Sequence, residues 1–282
     1  MSNVFTMGID VGSTASKCVI LKDGKEIVAK SVISVGTGTS GPARAMKEAL
    51  EQVGLSSVSE LQGAVATGYG RNSLAEVPAQ MSELSCHAKG AYFLFPNVHS
   101  IIDIGGQDSK ALKIGDNGML ENFVMNDKCA AGTGRFLDVI AKVLEVNLED
   151  LEKLDEKSTV DVAISSTCTV FAESEVISQL AKGTKIEDIV KGIHTAIASR
   201  VGSLAKRIGI KDDVVMTGGV ALNKGMVRAL ERNLGFKLHT NEYCQLNGAI
   251  GAALFAYQKY TMTHQSVSYT HLRAHETPEH LV

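Results

Sequence analysis

Asp10-Val-Gly-Ser-Thr-Ala-Ser-Lys17 and Asp103-Ile-Gly-Gly-Gln-Asp-Ser-Lys110 share one pattern, D-x-G-x-x-x-S-K. Each follows a short apolar run, VFTMGI before Asp10 and SII before Asp103. Each leads into a second extended run with a turn signal beyond it, Asp23-Gly24 in the first copy and Asn117-Gly118 in the second. A strand, a tight glycine turn and a second strand, given twice, predict two related half-domains facing each other. Glycine lets the backbone come close to a ligand, and successive N–H groups in such a turn hold an anion. A carboxylate at the same end holds a metal ion through water. One copy alone reads equally as a glycine-rich β-hairpin with a capping Asp. Two copies at matching places point to a magnesium nucleotide held between two lobes.

The 282 residues fit two lobes better than one compact core. A net charge of −3 gives no electrostatic reason to expect nucleic acid or an anionic membrane as partner. No apolar stretch is long enough to span a bilayer. The opening MSNVFTMGID has neither a basic n-region nor a long apolar run, so no signal peptide is expected and the default compartment is the cytoplasm. There the five cysteines stay reduced, and any special ones are metal-binding or redox-active rather than disulfide staples. The stretch 263–282 (THQSVSYTHLRAHETPEHLV) shows no helical or strand period and holds four of the eight histidines. It is expected to be a vector-derived extension outside the fold.

Residues 1–97 are expected to form the first lobe and 98–262 the second, with the last helix packing back on the first. The first lobe reads as a hairpin and a further strand over 3–35, then a helix over 42–53 with Pro42 in its first turn. A short buried strand, GAVATGYGR (63–71), and a helical stretch over 80–95 follow. In the second lobe, helices are expected over 134–146, 169–183, 186–209, 222–234 and 247–259. DVAISSTC (161–168) reads as a strand-like run into a turn, and DVVMTGG (213–219) as a buried strand ending in paired glycines. Strands alternating with helices give an α/β class.

Gly218 and Gly219 end that buried strand where α/β folds place ligands. With the two hairpins, they make the chain resemble the actin, sugar-kinase and heat-shock chaperone ATPase superfamily. That resemblance implies a two-lobed actin-like ATPase fold of duplicated ribonuclease H-like domains, with nucleotide in the interlobe cleft. It implies that Gly12, Ser13, Thr14, Ala15, Ser16 and Lys17 form the first phosphate loop, with Asp10 facing Mg²⁺ through water. Asp103, Gly105, Gly106, Gln107 and Asp108 form the second, where Gln107 or Asp108 positions the attacking water. Gly218 and Gly219 press on the adenosine, and Gln245 flanks the base. Lys17 and Lys110 stay open between this role and that of solvated strand residues.

Cys129, in NDKCAAGTGRF, and Cys168, in SSTCTVFAES, each precede a helical segment and have small, polar neighbours. A helix N-terminus favours a thiolate or an anionic thiolate-ligated metal centre. Two cysteines cannot close a cubane iron–sulfur cluster, which takes four, and they fall short of a structural zinc site. Two chains about a two-fold axis would supply four; equally, two lone loop cysteines are often unrelated. Cys18, Cys86 and Cys244 read as plain structural residues.

GIDVGSTASK, ATGYGRNS, MSELSCHAKGA, IDIGGQDSK, NDKCAAGTGRFLD, ISSTCTVFAESEVIS and VVMTGGVA, in this order across residues 5–257, resemble the activator family of 2-hydroxyacyl-CoA dehydratases. The ATPase subunits of benzoyl-CoA reductase belong to the same family. This resemblance implies a homodimer with one bridging [4Fe–4S] cluster, held by Cys129 and Cys168 of each subunit. It also implies ATP-driven transfer of a low-potential electron, received from ferredoxin or flavodoxin, to the dehydratase component. Two rivals share the superfamily. A sugar kinase would use a carboxylate such as Asp103 as base and leaves both cysteines idle. A nucleotide-dependent chaperone lacks here its peptide-binding domain.

Overall fold

The computed structural model describes residues 3–165, 168–210 and 213–273. The first lobe contains β1 (Phe5–Val11), β2 (Ser16–Lys22), β3 (Glu26–Ile33), α1 (Gly41–Gln52), β4 (Gly63–Thr67) and α2 (Glu83–Leu94). The second contains β5 (Ser100–Ile104), β6 (Ser109–Ile114), β7 (Leu120–Asn126), α3 (Gly134–Val143), α4 (Leu151–Lys157), α5 (Thr169–Ala181) and α6 (Ile186–Arg207). It continues with β8 (Val214–Thr217), α7 (Lys224–Leu234), β9 (Leu238–His239) and α8 (Asn247–Arg273).

The sequence repeat becomes a repeat of topology. One sheet has the order β3-β2-β1-β4 and the other β7-β6-β5-β8-β9. In both, three antiparallel strands are followed by a parallel neighbour of the first, β4 beside β1 and β8 beside β5. Asp23 and Gly24 both take positive φ, as a two-residue hairpin turn requires, and so does Gly118 in the matching turn. β5 and β8 are buried at every residue, as strands covered on both faces must be.

Helices supply that cover. α1 packs on β2 and β3, while α8 lies across β1, β2 and β4 on the first sheet. Thr6 in β1 donates its hydroxyl to the Ala253 carbonyl of α8 at 3.1 Å. Val19 and Leu21 of β2 share an apolar cluster with Ala249, Ile250 and Ala253 of α8. α2 packs against α8 on one side and against β6 and β7 on the other, so it joins the two lobes.

Three expectations need correction. Residues 161–165 are not a strand: Val162 and Ile164 lie against Gly192 of α6, so the alternating pattern is satisfied by a helix instead of a sheet neighbour. Ser166 and Thr167 lie outside the described residues. The helix expected from 222 begins at Lys224, because Asn223 caps it by accepting from Met226 N at 3.1 Å. α8 runs to Arg273, beyond the expected break at 263, because no Gly or Pro interrupts 252–273. α4 and β9 have no counterpart in the sequence-based reading.

If α8 completes the first lobe, Ile250→Ala, at a side chain with no exposure, should cost about 2–5 kcal/mol. Urea unfolding of the variant tests this. A loss below about 1 kcal/mol would mean that α8 contributes little to that core.

Candidate functional site

The two glycine hairpins are built alike. In the first, Asp10 stands opposite Lys17 in register and Gly12 N–H donates to the Ala15 carbonyl at 3.0 Å. In the second, Asp103 stands opposite Lys110 and Gly105 N–H donates to the Asp108 carbonyl at 2.9 Å. The seven-residue spacing of Asp and Lys is therefore a hairpin distance, and it closes an ion pair in each copy. Lys17 Nζ is 3.1 Å from Asp10 Oδ2, and Lys110 Nζ is 3.3 Å from Asp103 Oδ2. The hairpins meet tip to tip: a Cβ at Gly106 would collide with the Thr14 side chain. Ser13, Thr14 and Ala15 are half-buried at this junction, while the buried Ser16 spends its hydroxyl on the Val35 carbonyl at 2.9 Å.

The third glycine element reaches the same place. β8 runs parallel to β5 with Thr217 beside Asp103, and the Thr217 hydroxyl donates to Asp103 Oδ1 at 2.7 Å. Gly218 and Gly219 follow. Gly218 N–H donates to the Cys244 carbonyl at 3.1 Å, and the Gln245 amide stands 3.5 Å from where a Gly219 Cβ would be. Gln245 thus sits beside the paired glycines.

Lys110 is not a solvated strand residue. It is 1% exposed and holds three carboxylates: Glu83 and Asp108, each at 2.7 Å, and Asp103. Burial pulls its ammonium towards the neutral form, but these carboxylates outweigh burial and hold it above the usual lysine range. Burial likewise pushes Asp103 up, yet His87, Lys110 and Thr217 overcome it and keep the carboxyl well below the usual carboxylate range. Asp108, with fewer partners, is pushed up by burial. The D-x-G-x-x-x-S-K motifs do not point to Glu83, His87, Thr217 or Asn247, which complete this network. The available signal was the Glu83/His87 spacing of four on a helix, which puts both on one face.

Cys129 and Cys168 are half-buried. Cys129 lies in the loop between β7 and α3, and Cys168 is the N-cap residue of α5. α3 and α5 pack together. Asn126 clamps the first loop by donating to the Cys129 and Ala131 carbonyls at 2.8 and 3.3 Å. The Thr133 hydroxyl donates to the Ala130 carbonyl at 2.7 Å. Glu175 of α5 accepts from Ser165 N–H and so ties the chain before Cys168 to that helix. The Cys129 loop also adjoins the second hairpin. Gly134 and Arg135, at the start of α3, donate their N–H groups to the Gly105 and Gly106 carbonyls at 2.9 and 2.8 Å. Gln107 and Cys129 line one open cavity of about 260 Å³ with Lys128 and Arg135. Among the described residues no three His, Cys, Asp or Glu side chains converge on one metal position. Cys18, Cys86 and Cys244 are buried.

Two lobes whose glycine hairpins meet in a cleft define an actin-like ATPase. The same fold is seen in a ROK-family glucokinase from Streptomyces griseus, with a TM-score of 0.56 at 15% identity, over 90% of this chain and 99% of that one. Residues 7–256 match the BadF/BadG/BcrA/BcrD ATPase family, to which the chain belongs. It is 63% identical over 258 residues to the (R)-2-hydroxyglutaryl-CoA dehydratase activating ATPase of Acidaminococcus fermentans, covering 91% of this chain and 98% of that protein. The solved activator of the 2-hydroxyisocaproyl-CoA dehydratase from Clostridium difficile, with bound ADPNP, is 54% identical with a TM-score of 0.90, covering 93% of this chain and 98% of that one.

Two outcomes test this geometry. Lys110→Met leaves Asp103 buried without its cation and should cost about 3–5 kcal/mol in chemical denaturation; a loss under 1 kcal/mol would contradict the network. Burial pushes the Cys86 thiol up to about 12 and the Cys18 and Cys244 thiols in the same direction. At pH 8 all three are therefore protonated and shielded. Iodoacetamide should label Cys129 and Cys168 in the folded, iron-free protein and spare the other three, as read by peptide mass mapping.

Proposed function

We propose that the chain is the ATP-dependent activator of a 2-hydroxyacyl-CoA dehydratase, to which it delivers a low-potential electron as ATP is hydrolysed. The observation that carries this reading is the bonding of the Cys129 loop to the second glycine hairpin. The N–H groups of Gly134 and Arg135 rest on the Gly105 and Gly106 carbonyls. A ligand that shifts that hairpin therefore shifts the start of α3 and the cysteine beside it.

In this reading the loops Gly12–Lys17 and Gly105–Asp108 hold the phosphates through the turn N–H groups beyond Gly12 and Gly105, whose own N–H groups close the hairpins on the Ala15 and Asp108 carbonyls. Asp10 faces Mg²⁺ through water, Asp103 anchors the second phosphate loop, and Gln107 or Asp108 orients the attacking water. Gly218, Gly219 and Gln245 take the adenosine. Asp10, Asp103, Asp108 and Glu83 outnumber Lys17 and Lys110, which suits a dication. Asp103 is 2% exposed, with one oxygen bonded to Thr217 and the other paired with Lys110. That engagement argues against a free base for a sugar hydroxyl and so against the kinase alternative.

Cys129 and Cys168 fit a shared [4Fe–4S] cluster: both thiols are half-buried, Cys168 caps α5 while Cys129 lies in the loop leading into α3, and one chain offers two where four are needed. When bound, such a cluster supplies a one-electron carrier whose potential responds to hydrogen bonding and solvent exposure. The protein would then be a homodimer. The start of α5 supports this, since Val170 and Phe171 beside Cys168 are 66% and 65% exposed, and Ile177 two turns on is 53% exposed. The partners in this reading are the dehydratase component and a ferredoxin or flavodoxin donor in the cytoplasm. Among the described residues no helix is long and apolar enough to cross a membrane.

Anaerobic purification tests the proposal. The wild-type dimer should hold about four iron atoms. Cys129→Ser or Cys168→Ser should lose the iron and keep ATP hydrolysis, whereas Asp10→Ala should do the reverse. An iron chelator should strip the wild type faster with Mg-ATP than without nucleotide, and Asp10→Ala should abolish that difference. Full iron content in either serine variant, or chelation indifferent to nucleotide in the wild type, would overturn the coupled reading.

A further inference from the structure

The segment Met81–Ala91 resembled the family at sequence level but has no part in the phosphate loops or the cysteine loops. The structure gives it one. Glu83 and His87 lie one turn apart on α2, with His87 Nε2 3.9 Å from Glu83 Oε1. Glu83 reaches Lys110, and His87 Nδ1 lies 3.3 Å from Asp103 Oδ1. The other side of the ring opens towards the first hairpin. A Cβ at Gly248 would sit 3.1 Å from Asp10 Oδ2 and 3.3 Å from His87 Nε2. The imidazole is 6% exposed and stands in the zone bordered by the acid of each hairpin.

Asn247, fully buried at the start of α8, donates to the His87 carbonyl at 3.0 Å and lies 3.2 Å from Nδ1. With that carbonyl as acceptor, the amide does not need the Nδ1 lone pair. Asp103 does need donors, because an ionised carboxylate at 2% exposure has no bulk water to turn to. Thr217 donates to Oδ1 and Lys110 pairs with Oδ2. A proton on His87 Nδ1 supplies the remaining donor at Oδ1. The carboxylate is then fixed in rotation as well as in place.

We infer that His87 is a positioning residue for ATP hydrolysis, acting through Asp103, whose orientation in the cleft it sets from the helix that joins the two lobes. This rests on the cleft being the ATP site. Binding of nucleotide uses the hairpin N–H groups and does not need His87. Hydrolysis needs Asp103 and the groups around it aimed correctly, and small misplacements of such groups are costly in rate.

The experiment compares His87→Leu with His87→Asn in the anaerobically purified protein. An asparagine amide nitrogen reaches the place of Nδ1 and restores the donor, while leucine fills the space without one. The readouts are kcat and KM for Mg-ATP, ADPNP affinity by calorimetry, and the thermal midpoint. His87→Leu should lower kcat about 10- to 100-fold, with ADPNP affinity within about threefold of wild type. His87→Asn should recover most of the loss. Wild-type kcat in His87→Leu overturns the proposal. So does an equal loss in both variants accompanied by a fall in thermal midpoint, which marks packing instead of positioning. Failure of the wild-type chain to bind ADPNP would instead overturn the assignment of the cleft.

Discussion

The ion pair closed across each glycine hairpin is the constraint on which the rest of this structure depends. Antiparallel register places Asp10 against Lys17 and Asp103 against Lys110. A one-residue slip would turn every side chain of the strand to the wrong face, so the register is held by the same core that buries the pair. In the second hairpin the pair is almost wholly removed from water, which is unfavourable unless both charges find several partners. They do: Lys110 collects three carboxylates and Asp103 collects Lys110, Thr217 and the imidazole of His87. These partners come from β5, β6, β8, α2 and the hairpin turn. One buried charge pair therefore holds together elements from both lobes.

The second constraint is that the nucleotide and thiol regions share backbone. α3 begins on the carbonyls of Gly105 and Gly106, and a Cβ at Gly134 would come within 3.2 Å of the Gly105 oxygen. There is no slack at this joint. Cys129 sits five residues before that glycine in a loop fastened by Asn126. The chain before Cys168 is tied to α5 through Glu175, and Val162 and Ile164 rest on α6.

How much could be read beforehand follows from the range of the interactions. The hairpins, the strand ending in Gly218 and Gly219, and the helices over α1, α5 and α6 were legible because their signals are local: turn residues, caps and periodicity. The state of Lys110 was not, because a strand residue looks the same whether water or Glu83 lies opposite, and Glu83 is on another element. His87 was hidden for the same reason; its partners Asp103 and Asn247 are far away in sequence. Residues 161–165 misled because alternation reports two environments without saying whether a strand or a helix supplies the inner one. The glycine motifs gave the tips of both hairpins, while their meeting at Thr14 and Gly106 emerged only from the packing of the lobes.

α8 carries a consequence for how the molecule is made. The first sheet is synthesised before the second, yet one of its faces is covered by a helix that follows the whole second sheet in the chain. Until Asn247 and the residues after it emerge, Val19 and Leu21 of β2 lack the apolar neighbours that bury them, and Thr6 lacks its acceptor. The second sheet draws its covering helices from the chain between and beside its own strands. Folding order is thus inverted relative to synthesis order: the lobe begun first is completed last. Through α2, which lies between α8 and the second sheet, that completion also seals the region around His87 and Asp103. An unfinished chain consequently exposes a bare apolar face and, by the same omission, an unassembled charge network. The charge network is therefore completed only when the second lobe and the closing helix are both in place.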